Sequence, residues 1–223
     1  MSRTFPVLIR MLSAFLVLSV RAQSQEIETL NFNVGGGFSI PVNPTARNFG
    51  VDGNAGTGMG VNFNKHNSIE GDFMWSGLSP TLNLVRLVDR PRGSSNLYTI
   101  TGNYRFHVDS IADSLFGVYV IGGGGWYYRH TSISKDYLVP PLTVCQPIYN
   151  WWGFSCDSTG TYVQSATIFS RGSSAGGIDA GMGFTIKLPY PGWTFFLESR
   201  YNHAWSSFIP TTLVPVTFGF RFN

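Results

Sequence analysis

Along most of this chain Val, Ile, Leu, Met, Phe or Tyr returns at every second position, with Gly, Ser, Thr, Asn or a charged residue between. A period of two belongs to extended strands with one apolar face. Residues 30–40 set Leu30, Phe32, Val34, Phe38 and Ile40 against Asn31, Asn33, Gly35, Gly37 and Ser39. Residues 55–64 set Met59, Val61 and Phe63 against Gly58, Gly60 and Asn62; residues 69–76 set Ile69, Phe73 and Trp75 against Glu70, Asp72, Met74 and Ser76. Over 97–106, Tyr98, Ile100, Tyr104 and Phe106 alternate with Thr99, Thr101, Asn103 and Arg105. Residues 116–128 are apolar on both faces, which leaves their register open. Residues 176–187 put Ile178, Ala180, Met182, Phe184 and Ile186 opposite Gly177, Asp179, Gly181, Gly183 and Thr185, and residues 194–203 put Phe195, Leu197 and Tyr201 opposite Phe196, Glu198, Arg200 and Asn202. The last strand, 215–223, alternates Val216, Phe218, Phe220 and Phe222 with Thr217, Gly219 and Arg221.

A final strand this apolar cannot leave its edge unpaired without inviting aggregation. Closure of the last strand onto the first removes the edge, so the expected fold is all-β: an eight-stranded antiparallel up-and-down barrel. Long and short connections take turns along the chain, as in a barrel with short turns at one end and larger loops at the other, and an even strand number brings both termini to the short-turn end.

Alternation does not say which face lies inside; a soluble lipocalin-type barrel has the same period with its apolar face inward. Composition separates the two. Only 12% of residues are charged against roughly 25% in soluble proteins, while 15% are aromatic. Trp75, Tyr104, Trp126, Tyr128, Trp193 and Tyr201 fall near predicted strand ends, where membrane-interface girdles sit. The N-terminus reads as an export signal: Arg3 and Arg10, an apolar run over 11–20, and a cleavage site after Ala22. The run is too short for a membrane-spanning helix. These features predict a transmembrane barrel spanning residues 23–223 as one domain, behind a signal peptide at 1–22. Cleavage removes three of the 15 basic residues and leaves 12 against 12 acidic ones. The mature chain is neutral, and no basic run of nucleic-acid-binding type remains.

Across its mature length the chain resembles the small eight-stranded outer-membrane barrels of the OmpA-like and OmpW-like group. The resemblance rests on Ile69-Glu70-Gly71-Asp72-Phe73, on Tyr98-Thr99-Ile100-Thr101-Gly102-Asn103-Tyr104-Arg105-Phe106 and on Phe196-Leu197-Glu198-Ser199-Arg200-Tyr201. It implies the outer membrane of a Gram-negative-type bacterium, outer-membrane lipid as the surroundings, insertion by the β-barrel assembly machinery, and Phe218, Phe220 and Phe222 as the C-terminal assembly signal.

Candidate chemistry is sparse. The expected inner face carries Glu70, Asp72, Arg105, Asp179, Glu198, Arg200 and Arg221, which read either as a selectivity constriction or as an ion-pair network that plugs a narrow barrel. Cys145 and Cys156 are the only cysteines, and in an exported chain they are expected to form a disulfide. They lie in a long loop, about residues 129–171, whose Tyr149, Trp151, Trp152 and Phe154 suggest either a surface for an extracellular ligand or a cover packed over the barrel mouth. His203 with Ser206 invites comparison with lipid A deacylase barrels, but no Asp or Glu follows Glu198 to orient the imidazole. Gly122 to Gly125 lack the Lys-Ser/Thr and helix of a phosphate-binding loop and read as close packing at a bend. No catalytic residue, metal site or cofactor is expected. The expected role is non-enzymatic, structural or surface-interacting, with a small hydrophobic-solute channel as the alternative and a lipid-modifying enzyme behind it.

Overall fold

A computed structural model describes residues 29–64, 66–81, 91–108, 115–139, 146–150, 153–157, 162–206 and 210–222. In chain order the strands are β1 (Thr29–Pro41), β2 (Phe49–Gly50), β3 (Asp52–Asn62), β4 (Asn67–Pro80), β5 (Pro91–His107), β6 (Phe116–Val139), β7 (Gln146–Asn150), β8 (Gly153–Asp157), β9 (Tyr162–Lys187), β10 (Trp193–Ala204) and β11 (Thr211–Phe222). Eight of them, β1, β3, β4, β5, β6, β9, β10 and β11, form one antiparallel ring in which β4 pairs with β5 and β11 returns to β1. The closing seam sets Phe32 opposite Phe222, Gly35 opposite Gly219 and Pro41 opposite Leu213, so the C-terminal strand has no free edge. The expected closed, eight-stranded, up-and-down barrel is the fold.

Every alternating strand turns its polar face inward. Phe32, Phe73, Ile100, Phe184, Leu197 and Phe218 are 43–54% exposed on the outside, whereas Asn33, Glu70, Thr101, Asn103, Glu198 and Thr217 on the opposite faces are buried. This inverts a soluble protein. A predominantly apolar exterior of this kind is stable against hydrocarbon and not against water. Aromatic side chains ring both ends of the band. Trp193 sits edge-on to Phe222 with centroids 4.5 Å apart at the end where β1 begins and β11 finishes, and Trp126 stacks on Tyr128 at 5.6 Å toward the other. We call these the proximal and distal ends.

The register of β6, open in the sequence, is settled by its partners: Tyr119, Ile121 and Tyr127 point inward, Val120 and Trp126 outward. Gly122 to Gly125 do not mark a bend; they continue β6 without a register shift. They allow close approach, since a Cβ on Gly123 would lie 2.1 Å from the Gly102 carbonyl oxygen of β5.

The larger correction concerns residues 129–171, expected as a loop. Most of this stretch is strand, with β6 and β9 paired from Arg129 opposite Ser173 out to Val139 opposite Tyr162 and one bulge after Ile133. A separate two-stranded hairpin, β7 and β8, lies between them. The arm extends past the distal ends of the other barrel strands, and residues 165–172 on it are all exposed. It carries no sustained period of two, which is why its sequence does not read as strand.

Candidate functional site

The barrel interior is stacked in layers, each made by the inward positions of several strands. Nearest the proximal end is an amide and hydroxyl ring, in which Asn31 donates to Asn62 at 2.8 Å and Asn62 donates to Thr29 at 2.8 Å. Above it lie the ionisable groups. The Arg105 guanidinium bonds both oxygens of Glu70 and stands 3.8 Å from Glu198. Arg200 touches three carboxylates, bonding Glu198 through Nε, Asp72 at 2.9 Å through Nη2 and Asp179 at 3.3 Å through Nη1. Glu198 therefore joins the two arginines, and the Tyr119 hydroxyl donates to its second oxygen at 2.7 Å. Asn103 donates to Asp72 at 2.7 Å, and Asn33 to Glu70 at 3.4 Å.

Strand geometry explains how these groups meet. Glu70 and Asp72 are two residues apart on β4, as Glu198 and Arg200 are on β10, so each pair shares the inner face at adjacent heights. Tyr119 reaches the middle because its partner across the ladder is Gly183, where a Cβ would sit 2.3 Å from the Tyr119 ring.

Arg221 departs from the pattern of its neighbours. It is buried at the same level but makes no ion pair with a described residue; its guanidinium lies 5.3 Å from the ring centres of both Tyr119 and Phe196. Two of its nitrogens have no hydrogen-bond partner, and an aromatic face is a weaker stand-in than a carboxylate. The remaining free space between these groups is about 20 Å³, room for roughly one water molecule.

A further polar ring follows, with Ser39 donating to Ser76 at 3.0 Å and Thr217 to Asn54 at 3.3 Å. Beyond it the interior changes character. Leu78, Leu97, Tyr127, Ala204 and Leu213 point inward near the distal strand ends and pack with Phe49, all at least nine-tenths buried. Phe49 enters from above. The segment between β1 and β3 folds over the mouth and is tied there by Thr212, whose N–H donates to Thr45 Oγ1 at 2.8 Å, and by Val42, whose N–H donates to the Thr212 carbonyl at 3.1 Å. This apolar layer is absent from the reading of the sequence.

Above the apolar layer a wider cavity of about 330 Å³ opens distally, bounded by the β6–β9 arm and the folded-over segment. Ser206 lines it, whereas His203 turns to Thr212 at 3.1 Å and packs edge-on to Trp205. Cys145, Trp151 and Trp152 lie outside the described residues, and only the strand pairing of Tyr149, Phe154 and Cys156 is described, with Tyr149 opposite Phe154. Phe218 and Phe220 face outward and Phe222 packs against Phe32, centroids 6.3 Å apart. No cluster of three or more His, Cys, Asp or Glu suited to a metal ion occurs among the described residues.

No protein-family model matches the chain, and no curated protein matches it. Solved structures do. Neisserial surface protein A aligns over 86% of this chain and 96% of its own with a TM-score of 0.51 at 11% identity. The outer membrane protein OprG from Pseudomonas aeruginosa aligns over 90% and 98% at 14% identity, TM-score 0.43. Ail, the attachment invasion locus protein of Yersinia pestis, solved with the heparin analogue sucrose octasulfate, aligns over 86% and 99% at 12% identity, TM-score 0.43. In architecture the chain is a small eight-stranded antiparallel transmembrane β-barrel, the fold of Neisserial surface protein A.

Proposed function

We propose that this chain is a non-enzymatic outer-membrane barrel with a structural or surface-interaction role, its lumen closed to solutes. The observation that carries the reading is the filling of the interior: below the distal cavity, free space shrinks to pockets of about 10 Å³ at the apolar layer and about 20 Å³ among the ion pairs. Neither holds a water column. Glu70, Asp72, Arg105, Asp179, Glu198 and Arg200 act as a plug rather than as a selectivity ring, because charges satisfied by one another have no spare attraction for a passing ion.

In this reading residues 1–22 are a cleaved export signal, the proximal end faces the periplasm, and Phe218, Phe220 and Phe222 are read by the assembly machinery. The distal arm with Tyr149, Trp151, Trp152 and Phe154 then stands outside the cell, where a Cys145–Cys156 disulfide would tie its tip and an extracellular ligand would meet it.

The test is flux through the reconstituted barrel. Liposomes bearing the full chain should retain a small entrapped anion or sugar as well as protein-free liposomes do. Rapid release would reject closure and favour a channel.

A further inference from the structure

The distal cavity has a composition the plug does not require. Its wall is one face of the β6–β9 arm, where three cross-strand pairs line up: Arg129 with Ser173, Thr131 with Arg171, and Ile133 with Phe169. Thr45, Asn48 and Phe49 face it from the folded-over segment, and Ser206 from the end of β10. The lining thus holds two guanidinium groups, several hydroxyls and an apolar patch and, among the described residues, no carboxylate.

The contrast with the lumen is direct. There Arg105 and Arg200 are held by carboxylates, while Arg221 is sealed in against the rings of Tyr119 and Phe196. In the cavity Arg129 makes its hydrogen bond to the Thr211 hydroxyl at 3.1 Å, and Arg171 is exposed and makes no ion pair with a described residue. Two guanidiniums on one concave wall, with no carboxylate partner among the described residues, attract an oxyanion and offer it forked N–H donors, with hydroxyls to complete its coordination. The volume, about 330 Å³, is at the lower end of small-molecule sites. On the same wall Phe169 stands two residues beyond Arg171, and its cross-strand partner Ile133 four beyond Arg129, so an anion seated between Arg129 and Arg171 places any apolar body it carries toward them.

We propose that this distal cup binds a small oxyanion-bearing molecule, best a phosphate monoester on a compact apolar body, through Arg129 and Arg171 with Phe169 and Ile133 as the apolar contact. The apolar layer of Leu78, Leu97, Tyr127 and Leu213 lies between this cup and the ion pairs, so the proposal does not depend on whether the lumen conducts.

Calorimetric titration of the full chain in zwitterionic micelles with phenyl phosphate tests this. Saturable binding that weakens with added salt is expected, with inorganic phosphate and phenol each binding more weakly than phenyl phosphate. Arg171→Gln, at an exposed position that leaves the barrel intact, should weaken phenyl phosphate binding about tenfold or more. Phe169→Ala should erase the preference for phenyl phosphate over inorganic phosphate while leaving the latter's binding in place. Doping the micelles with lysophosphatidic acid separates two sources of the same chemistry: competition assigns the cup to a lipid headgroup, and its absence to a free solute. Lack of saturable binding, or an Arg129→Met/Arg171→Gln variant that binds within about twofold of wild type while migrating as a folded barrel, overturns the proposal.

Discussion

The proximal and distal halves of the lumen fill the same ring of backbone by opposite means. The proximal half uses Arg105, Arg200 and four carboxylates, each buried and each dependent on its partners; the distal half uses Leu78, Leu97, Tyr127, Leu213 and Phe49, which need only to touch. An ionic filling is directional and fails abruptly, because removing one member leaves the others charged in a space shielded from water. An apolar filling fails gradually, in proportion to the volume removed. In the closed-lumen reading proposed above, the barrel is shut twice, by mechanisms with different weaknesses.

The largest effect should come from breaking the ionic half at its most buried pair. Arg105→Ala strands Glu70, 1% exposed, and is expected to cost about 3–5 kcal/mol of stability in a urea titration of vesicle-inserted protein. Arg105→Met combined with Glu70→Met should restore most of that loss, since no charge is left unpaired. A double variant as unstable as the single one would show that Glu70 and Arg105 do not act as a pair.

The apolar half should respond more softly. Leu97→Ala, at a residue 2% exposed, is expected to cost about 2–5 kcal/mol in the same titration, and a Leu97→Met exchange of similar volume less than about 1.5 kcal/mol. If the volume-conserving change were as damaging as the truncation, tight packing would not be what Leu97 supplies. On the exterior, Phe73→Arg near mid-height of β4 should cost about 2–4 kcal/mol, a loss set by depth in the bilayer and not by either filling. Smallest of all, Ser39→Ala, which removes a hydrogen bond to Ser76 in the polar ring between the halves, should cost about 1 kcal/mol.

The two halves also differ in how far the sequence discloses them. Where polar and apolar residues alternate, as around Glu70 and Asp72 or Glu198 and Arg200, the period of two identifies the strand and puts these charges on one face, and composition turns that face inward. That is enough to gather the seven inward charges, although not to pair them: nothing in the pattern says that Arg221 stacks on Tyr119 and Phe196 while Arg200 takes three carboxylates. The distal layer is hidden for the opposite reason. Near Leu78, Leu97, Tyr127 and Leu213 both faces of the strands are apolar or weakly polar, so alternation fades where the plug begins and the strands read as ending early. Phe49 is further from reach, as it comes from outside the eight barrel strands altogether. Likewise the cup depends on Arg129 and Arg171 standing diagonally across β6 and β9, in neighbouring same-face cross-strand pairs, which follows from a register that no period in the arm announces.

The measurement that most directly tests closure by two independent layers is single-channel recording in planar bilayers on four proteins: wild type, a proximal variant (Arg105→Met/Glu70→Met), a distal variant (Phe49→Ala/Leu97→Ala) and the combination. The first three should show no steady current, because one layer remains intact in each, and only the combined variant should conduct. Steady, large currents from the wild-type barrel would contradict closure, and such currents from either single-layer variant would contradict the independence of the two layers.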